Sequence, residues 1–183
     1  MKSILIWLAA EFSDPVNAAA QIIGFIPMIL AYFVFLFNDR RKVIAFKASS
    51  DLLWALHFLL LGELSGCVIN SINVVRNIIF AQKDKKWASS IAIPVVFCII
   101  TAVGALLSRS GLKSIFPLIG SCLAVMGFWC NEPRHIRKFN LPAVSLWLIY
   151  GLLTGSISTI ICNIMSFVSI LTEELRLIRN KAG

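Results

Sequence analysis

The sequence predicts an all-helical membrane protein whose seven transmembrane helices form two parallel triple-helix bundles joined by a linker helix. Three observations predict it. Of 183 residues, 58% are apolar and only 14% charged, with a mean hydropathy of +0.86, whereas soluble domains run near half apolar and about a quarter charged. The charges come in short bursts, and the runs between them are about twenty mainly apolar residues long, enough to cross a bilayer core. The chain also matches itself at a constant offset of 93 residues. Together these exclude a soluble enzyme, a nucleic-acid-binding domain built on the net charge of +8, and a secreted disulfide scaffold.

Hydropathy places the helices at Val16 to Phe37, Val43 to Leu61, Leu64 to Ala81, Trp87 to Leu107, Leu112 to Cys130, Phe139 to Leu153 and Ser156 to Thr172. Residues 1–14 read as an interfacial lead-in, because Glu11, Asp14 and Pro15 stand where a signal peptide would carry small residues for cleavage. The first bundle then spans 15–82, the linker 83–111, the second bundle 112–176 and a cytoplasmic tail 177–183. Asn38-Asp39 and Asn131-Glu132 open two basic loops and read as helix ends or caps. The five cysteines lie singly in apolar stretches, without a C-x-x-C pair, and read as small buried hydrophobes.

Lys and Arg are retained on the cytoplasmic side of a membrane, so loop charges assign the sides. Thirteen of the seventeen basic residues fall on alternate loops: Arg40, Arg41, Lys42 and Lys47 at the first, Lys83, Lys85 and Lys86 at the third, Arg134, Arg137 and Lys138 at the fifth, and Arg176, Arg179 and Lys181 in the tail. The expected topology is therefore N-out, C-in. The positive charge reads as this signal, with some attraction to lipid headgroups.

At the offset of 93, Asn38 falls on Asn131, Arg41 on Arg134, Phe46 on Phe139, Trp54 on Trp147, Gly62 on Gly155, Ser65 on Ser158 and Asn70 on Asn163, with His57 over Tyr150. Leucine matches come cheaply in membrane sequences; Trp, Asn and Gly matches at one offset do not. The unit is three helices. With one linker helix between them, the two copies stand the same way up, a parallel repeat about an axis along the membrane normal. The first helix of each unit pairs a Gly with a Pro three residues away, Gly24 with Pro27 and Pro117 with Gly120, which are candidate hinges because Pro removes a backbone donor and Gly a side chain.

A 3+1+3 arrangement, N-out and C-in, with prolines in the first helix of each bundle, resembles the SWEET, SemiSWEET and PQ-loop superfamily, which includes the PnuC-type vitamin transporters. At closer range, His57-Phe58-Leu59-Leu60-Leu61-Gly62, then Asn73-x-x-Arg76, then Lys86-Trp87, resembles the YgjV-type bacterial inner-membrane family. None of the six prolines is followed by Gln, so the dipeptide that names the PQ-loop proteins is absent. The resemblance implies a multi-pass protein of the bacterial inner membrane.

In each unit a Trp on the second helix is followed sixteen residues later by an Asn on the third, Trp54 with Asn70 and Trp147 with Asn163. Gly62 and Gly155 stand midway, so each side chain lies eight residues, or about 12 Å, below an outer turn. An indole packs on the apolar face of a sugar or base ring, and a carboxamide both donates and accepts. The same placement resembles the substrate pocket of the SemiSWEETs and SWEETs, which implies binding by these four residues. The plain structural alternative is packing tryptophans and asparagines that bond between helices.

The charged residues are less symmetrical. Lys47, Asp51 and Trp54 share a face of the second helix, and Asn70, Asn73 and Asn77 form a stripe on the third with Arg76 at its edge. Asp51 and Arg76 read as an inner gate, or Asp51 as a protonatable coupling site, against a satisfied ion pair or Lys47 and Arg76 snorkelling to the headgroups; Asn73 joins the candidate substrate-binding set. His57 reads as a gate or coupling residue that lines the outer vestibule or titrates, or as one hydrogen-bonded within the bundle.

The leading expectation is a transporter that moves a small polar metabolite by alternating access through a midplane pocket between the bundles. The alternative is a non-transporting receptor or accessory protein on the same fold. An enzyme is not expected, since no G-x-S-x-G, H-E-x-x-H or paired carboxylates at bilayer depth occur. Neither a metal nor another cofactor is expected. The partners expected are lipids and the metabolite, with a homodimer allowed.

Overall fold

The computed structural model describes residues 12–34, 40–130 and 133–182. The lead-in before Phe12 and the two caps at Asn38-Asp39 and Asn131-Glu132 lie outside the described residues. Within them the chain forms seven α-helices and two short 3-10 helices, with no strand. The α-helices are α1 Pro15–Val34, α2 Arg40–Leu60, α3 Leu64–Phe80, α4 Ala92–Leu107, α5 Ile115–Trp129, α6 Pro133–Leu153 and α7 Ile157–Ala182. The 3-10 helices, Lys86–Ala88 and Gly111–Ser114, precede α4 and α5.

Local chemistry sets the ends. Pro15 and Pro133 open α1 and α6, where the missing N–H has no acceptor to lose, and the Asp14 carboxylate accepts from the Asn17 N–H at 3.0 Å as the α1 cap. Gly62 and Gly155 take φ of +72° and +68°, the left-handed conformation that ends a helix. In both turns the next N–H reaches back five residues, Glu63 to the Phe58 carbonyl at 2.8 Å and Ser156 to the Gly151 carbonyl at 3.0 Å. The two turns are the same motif at repeat-equivalent positions.

Three boundaries differ from the hydropathy expectation by five residues or more. The sixth helix starts at Pro133 rather than Phe139 and the seventh runs to Ala182 rather than Thr172, because basic and acidic residues such as Arg137, Lys138 and Arg176 are good helix formers whether or not they are apolar. The fourth begins at Ala92, after the 3-10 turn, which puts Pro94 in its first turn. One stretch, Gly111–Trp129, is by itself long and apolar enough to cross a membrane, and Pro15–Leu30, Leu64–Phe80, Ala92–Leu107 and Ile157–Thr172 are shorter apolar stretches.

The burial pattern is the reverse of a soluble protein's. Ile22, Ile26, Val96, Leu106 and Leu152 are exposed, while Gln21, Asp51, His57, Asn70 and Arg76 are buried. Apolar faces of this extent, with polar groups inside, suit contact with lipid.

Within each unit the middle helix carries the other two: α1 and α3 pack on α2, and α5 and α7 pack on α6. Between units the first helix of one lies on the third helix of the other, α1 on α7 and α5 on α3. A shift of 93 residues turns each of these contacts into its counterpart. The Gly62 and Gly155 turns come together at one end, through His57 with Ser156 and Tyr150 with Ser65. Helix α4 packs on α3 and α5, burying Phe97 against Phe80 and Val125.

Candidate functional site

At the turn end the two units grip each other through equivalent residues. On α2, both ring nitrogens of His57 are engaged, Nδ1 with the Ala20 carbonyl at 2.7 Å and Nε2 with Ser156 Oγ of the opposite turn at 2.6 Å. Its repeat mate on α6, Tyr150, reaches the other way: its hydroxyl lies 2.9 Å from Ser65 Oγ and accepts the Gly66 N–H at 3.0 Å. Gly66 is the third residue of α3, where a helix N–H has no intrahelical acceptor, so Tyr150 caps α3 from the other unit. Gln21 does the same for α7, donating to the Gly155 carbonyl at 2.8 Å and accepting the Ile157 N–H at 3.0 Å. Lys113 pairs with Glu63 at the rim. His57, Tyr150 and Gln21 are fully buried. A buried unpaired group costs about 1–3 kcal/mol, so each of these contacts opposes separation of the two turns.

Beneath this latch lies an aromatic cluster. Trp54 and Trp147 both meet Phe58, with ring centroids 6.1 and 6.0 Å away, and Tyr150 stands 5.4 Å from Phe58. The structure thus brings the two candidate tryptophans into one cluster. Asn70 and Asn163 bond to their own helices instead, each donating to the carbonyl four residues back, Gly66 and Thr159, at 2.8 Å. The two bonds are repeat equivalents. An open groove of about 450 Å³ lies elsewhere, lined by residues including Arg109, Ser110 and Ser114.

The two candidate hinge glycines sit in close packing. A Cβ on Gly24 would strike Ser158 Oγ and stand 2.7 Å from His57 Nδ1. On Gly120 it would stand 3.0 Å from Trp147 Cδ1. Pro27 lies inside α1, and its carbonyl accepts from Ser50 Oγ at 3.0 Å; Pro117 is taken up in the first turn of α5, where the 3-10 helix gives way. A second interior proline, Pro142 in α6, went unnoticed in the sequence.

Toward the opposite end, Asp51 binds Lys47 through Oδ1 and accepts from Asn77 Nδ2 at 2.6 Å through Oδ2. Arg76 donates to Asn77 Oδ1 from Nη2 at 2.9 Å and lies 3.7 Å from Asp51 Oδ2. Asp51 and Arg76 are thereby brought together with Lys47, and Asn77 joins them as a residue the candidate set lacked. Asn73 Oδ1 and Arg76 Nη1 are buried without a hydrogen-bond partner. The repeat-equivalent positions of Asp51 and Arg76 are Val144 and Ser169, so this cluster belongs to one unit.

Tyr150, Gln21 and Ser156 were missed as functional residues, although the offset that lays His57 on Tyr150 also lays Glu63 on Ser156 and carries the signal. Among the described residues, no three His, Cys, Asp or Glu side chains gather where they could hold a metal ion.

The model of one protein family, Imp-YgjV, described as bacterial inner membrane protein, matches residues 18–181. No curated protein and no solved structure matches the chain.

Proposed function

The chain belongs to the YgjV family of bacterial inner membrane proteins, and on that premise we propose that it is a transporter of a small polar metabolite. Two parallel bundles, N-out and C-in in the manner of the SWEETs, rock about a site between them to give alternating access. The reciprocal latch carries this reading: His57 to Ser156 and Tyr150 to Ser65 join the bundles through polar bonds from equivalent positions. Such bonds are directional, and water replaces them when the units part, so one end opens without exposing a continuous apolar seam. The alternation of basic loops makes the latched end the outer one, so the state described is closed to the outside.

Below the latch, Trp54 and Trp147 supply stacking faces. Asn70 and Asn163 each spend one N–H on their own helix, which leaves the carboxamide oxygen and second N–H for a ligand. The test is thermal melting of the detergent-purified protein against sugars, nucleosides and vitamins, beside Asn70→Ala/Asn163→Ala. At a hundred times its dissociation constant a ligand adds about 2.7 kcal/mol of stability, and the double variant should lose that protection while remaining folded. Normal uptake by the variant would remove these residues from the site.

One observation favours a second reading, a non-transporting receptor or accessory protein: Phe58 stands between the two tryptophans where an open pocket is expected. If this reading holds, reconstituted protein transports none of the panel, and Phe58→Ala does not change that.

A further inference from the structure

We propose that Arg76, with Asn73, is the recognition point for an anionic group, a carboxylate or phosphate, on the metabolite. The proposal narrows the substrate class and rests on the transport reading only for the claim that the bound anion is carried. Arg76 follows Gly62 by fourteen residues, about 21 Å along a helix, which is still inside a hydrocarbon core of about 30 Å. There it is 1% exposed. A charge so placed is costly and marks a site or pathway more often than a strut.

The guanidinium is used on every side but one. Phe80 and Phe128 lie against it, with ring centroids 5.9 and 5.5 Å from Cζ. Nε and Nη2 both donate to Asn77 Oδ1, at 3.3 and 2.9 Å. Nη1 has no partner. Asp51 does not complete it: at 3.7 Å its nearer oxygen is beyond hydrogen-bond reach of Nη2, and that carboxylate already serves Lys47 and Asn77.

The charge count agrees with the geometry. Lys47 and Arg76 share one carboxylate, so the cluster carries one positive charge in excess. An anion at Nη1 supplies the missing charge and the missing acceptor in a charge-assisted bond, which the planar fork of arginine is shaped to make. Asn73, one turn earlier on α3, holds a second unpartnered atom, Oδ1, at 7% exposure, which accepts a hydroxyl or amine of the same ligand. The chemistry is that of a small hydroxy acid, amino acid or polyol phosphate. Phe128 belongs to α5 of the second unit, so the site borders both bundles, as a site sensed by their movement requires.

The test uses the full-length protein in detergent and three matched pairs at equal ionic strength: galacturonate with galactose, glutamate with glutamine, and glycerol 3-phosphate with glycerol. The expected result is a rise in melting temperature with at least one anion and not with its neutral mate. Arg76→Gln should lose that rise. Asn73→Asp should lose it too while melting no lower than the unliganded wild type, because its carboxylate provides the anion from within and so shows that the fold is kept. An equal rise from the neutral mate, a rise that survives both variants, or no rise with any of the three anions overturns the proposal. Uptake into proteoliposomes separates it from the transport reading: binding without uptake leaves the anion site and removes the transporter, whereas uptake of neutral solutes indifferent to Arg76→Gln does the reverse.

Discussion

Tyr150→Phe removes one oxygen atom from the latch and leaves the ring in place. That oxygen accepts the Gly66 N–H at 3.0 Å and contacts Ser65 Oγ at 2.9 Å, at a site with no solvent exposure. The serine hydroxyl can turn to another acceptor, but the amide is fixed in direction, and a buried N–H without a partner costs about 1–3 kcal/mol. If the units part at this end, water meets the amide, so the cost falls on the latched state alone. At about 2 kcal/mol the latched-to-open ratio falls about 30-fold, since each 1.4 kcal/mol is a factor of ten. Cys67 is a native reporter, half-buried against the aromatic cluster just below the latch. With the other four cysteines replaced, its labelling by a membrane-impermeant maleimide should quicken about 30-fold in Tyr150→Phe, provided that opening is fast relative to labelling. An unchanged rate in a variant destabilised by the expected amount would show that the contact persists in every state, and the latch would then be a strut.

Asp51→Ala strands Lys47, Asn77 and Arg76 together and should lower stability by about 3–5 kcal/mol; Asp51→Leu with Arg76→Leu should cost much less than the sum of the two single changes, read by detergent-induced unfolding, and simple additivity would refute the coupling. Gly24→Ala drives a methyl group into Ser158 and His57 and should cost about 1–3 kcal/mol by overpacking, read by thermal melting, with a neutral effect showing that α1 has room to shift.

Much of the fold was legible along the chain. Runs of apolar residues marked the helices, and the left-handed turns were readable because Gly62 and Gly155 sit at equivalent positions between apolar runs, where only glycine takes a positive φ without strain. The helix ends at Pro133 and Ala182 were not readable from hydropathy, which reports contact with lipid and not the hydrogen-bonded backbone that continues beyond it. Of the site, Asp51 and Arg76 could be paired by counting residues from the turn, because a helix converts count into depth.

The partners that His57, Tyr150 and Gln21 find in the opposite unit are a different matter. Each is more than eighty residues away in the chain, and no local pattern encodes which bond a buried polar group makes. By itself the sequence determined a helical, largely apolar chain that matches itself at an offset of 93 residues and the polar residues it must bury, because hydropathy and backbone preference act over a few residues. Only the tertiary structure decided that those residues reach across to the opposite unit, and that Arg76 is left with one open edge, because hydrogen bonds act over about 3 Å and depend on how two rigid bundles dock.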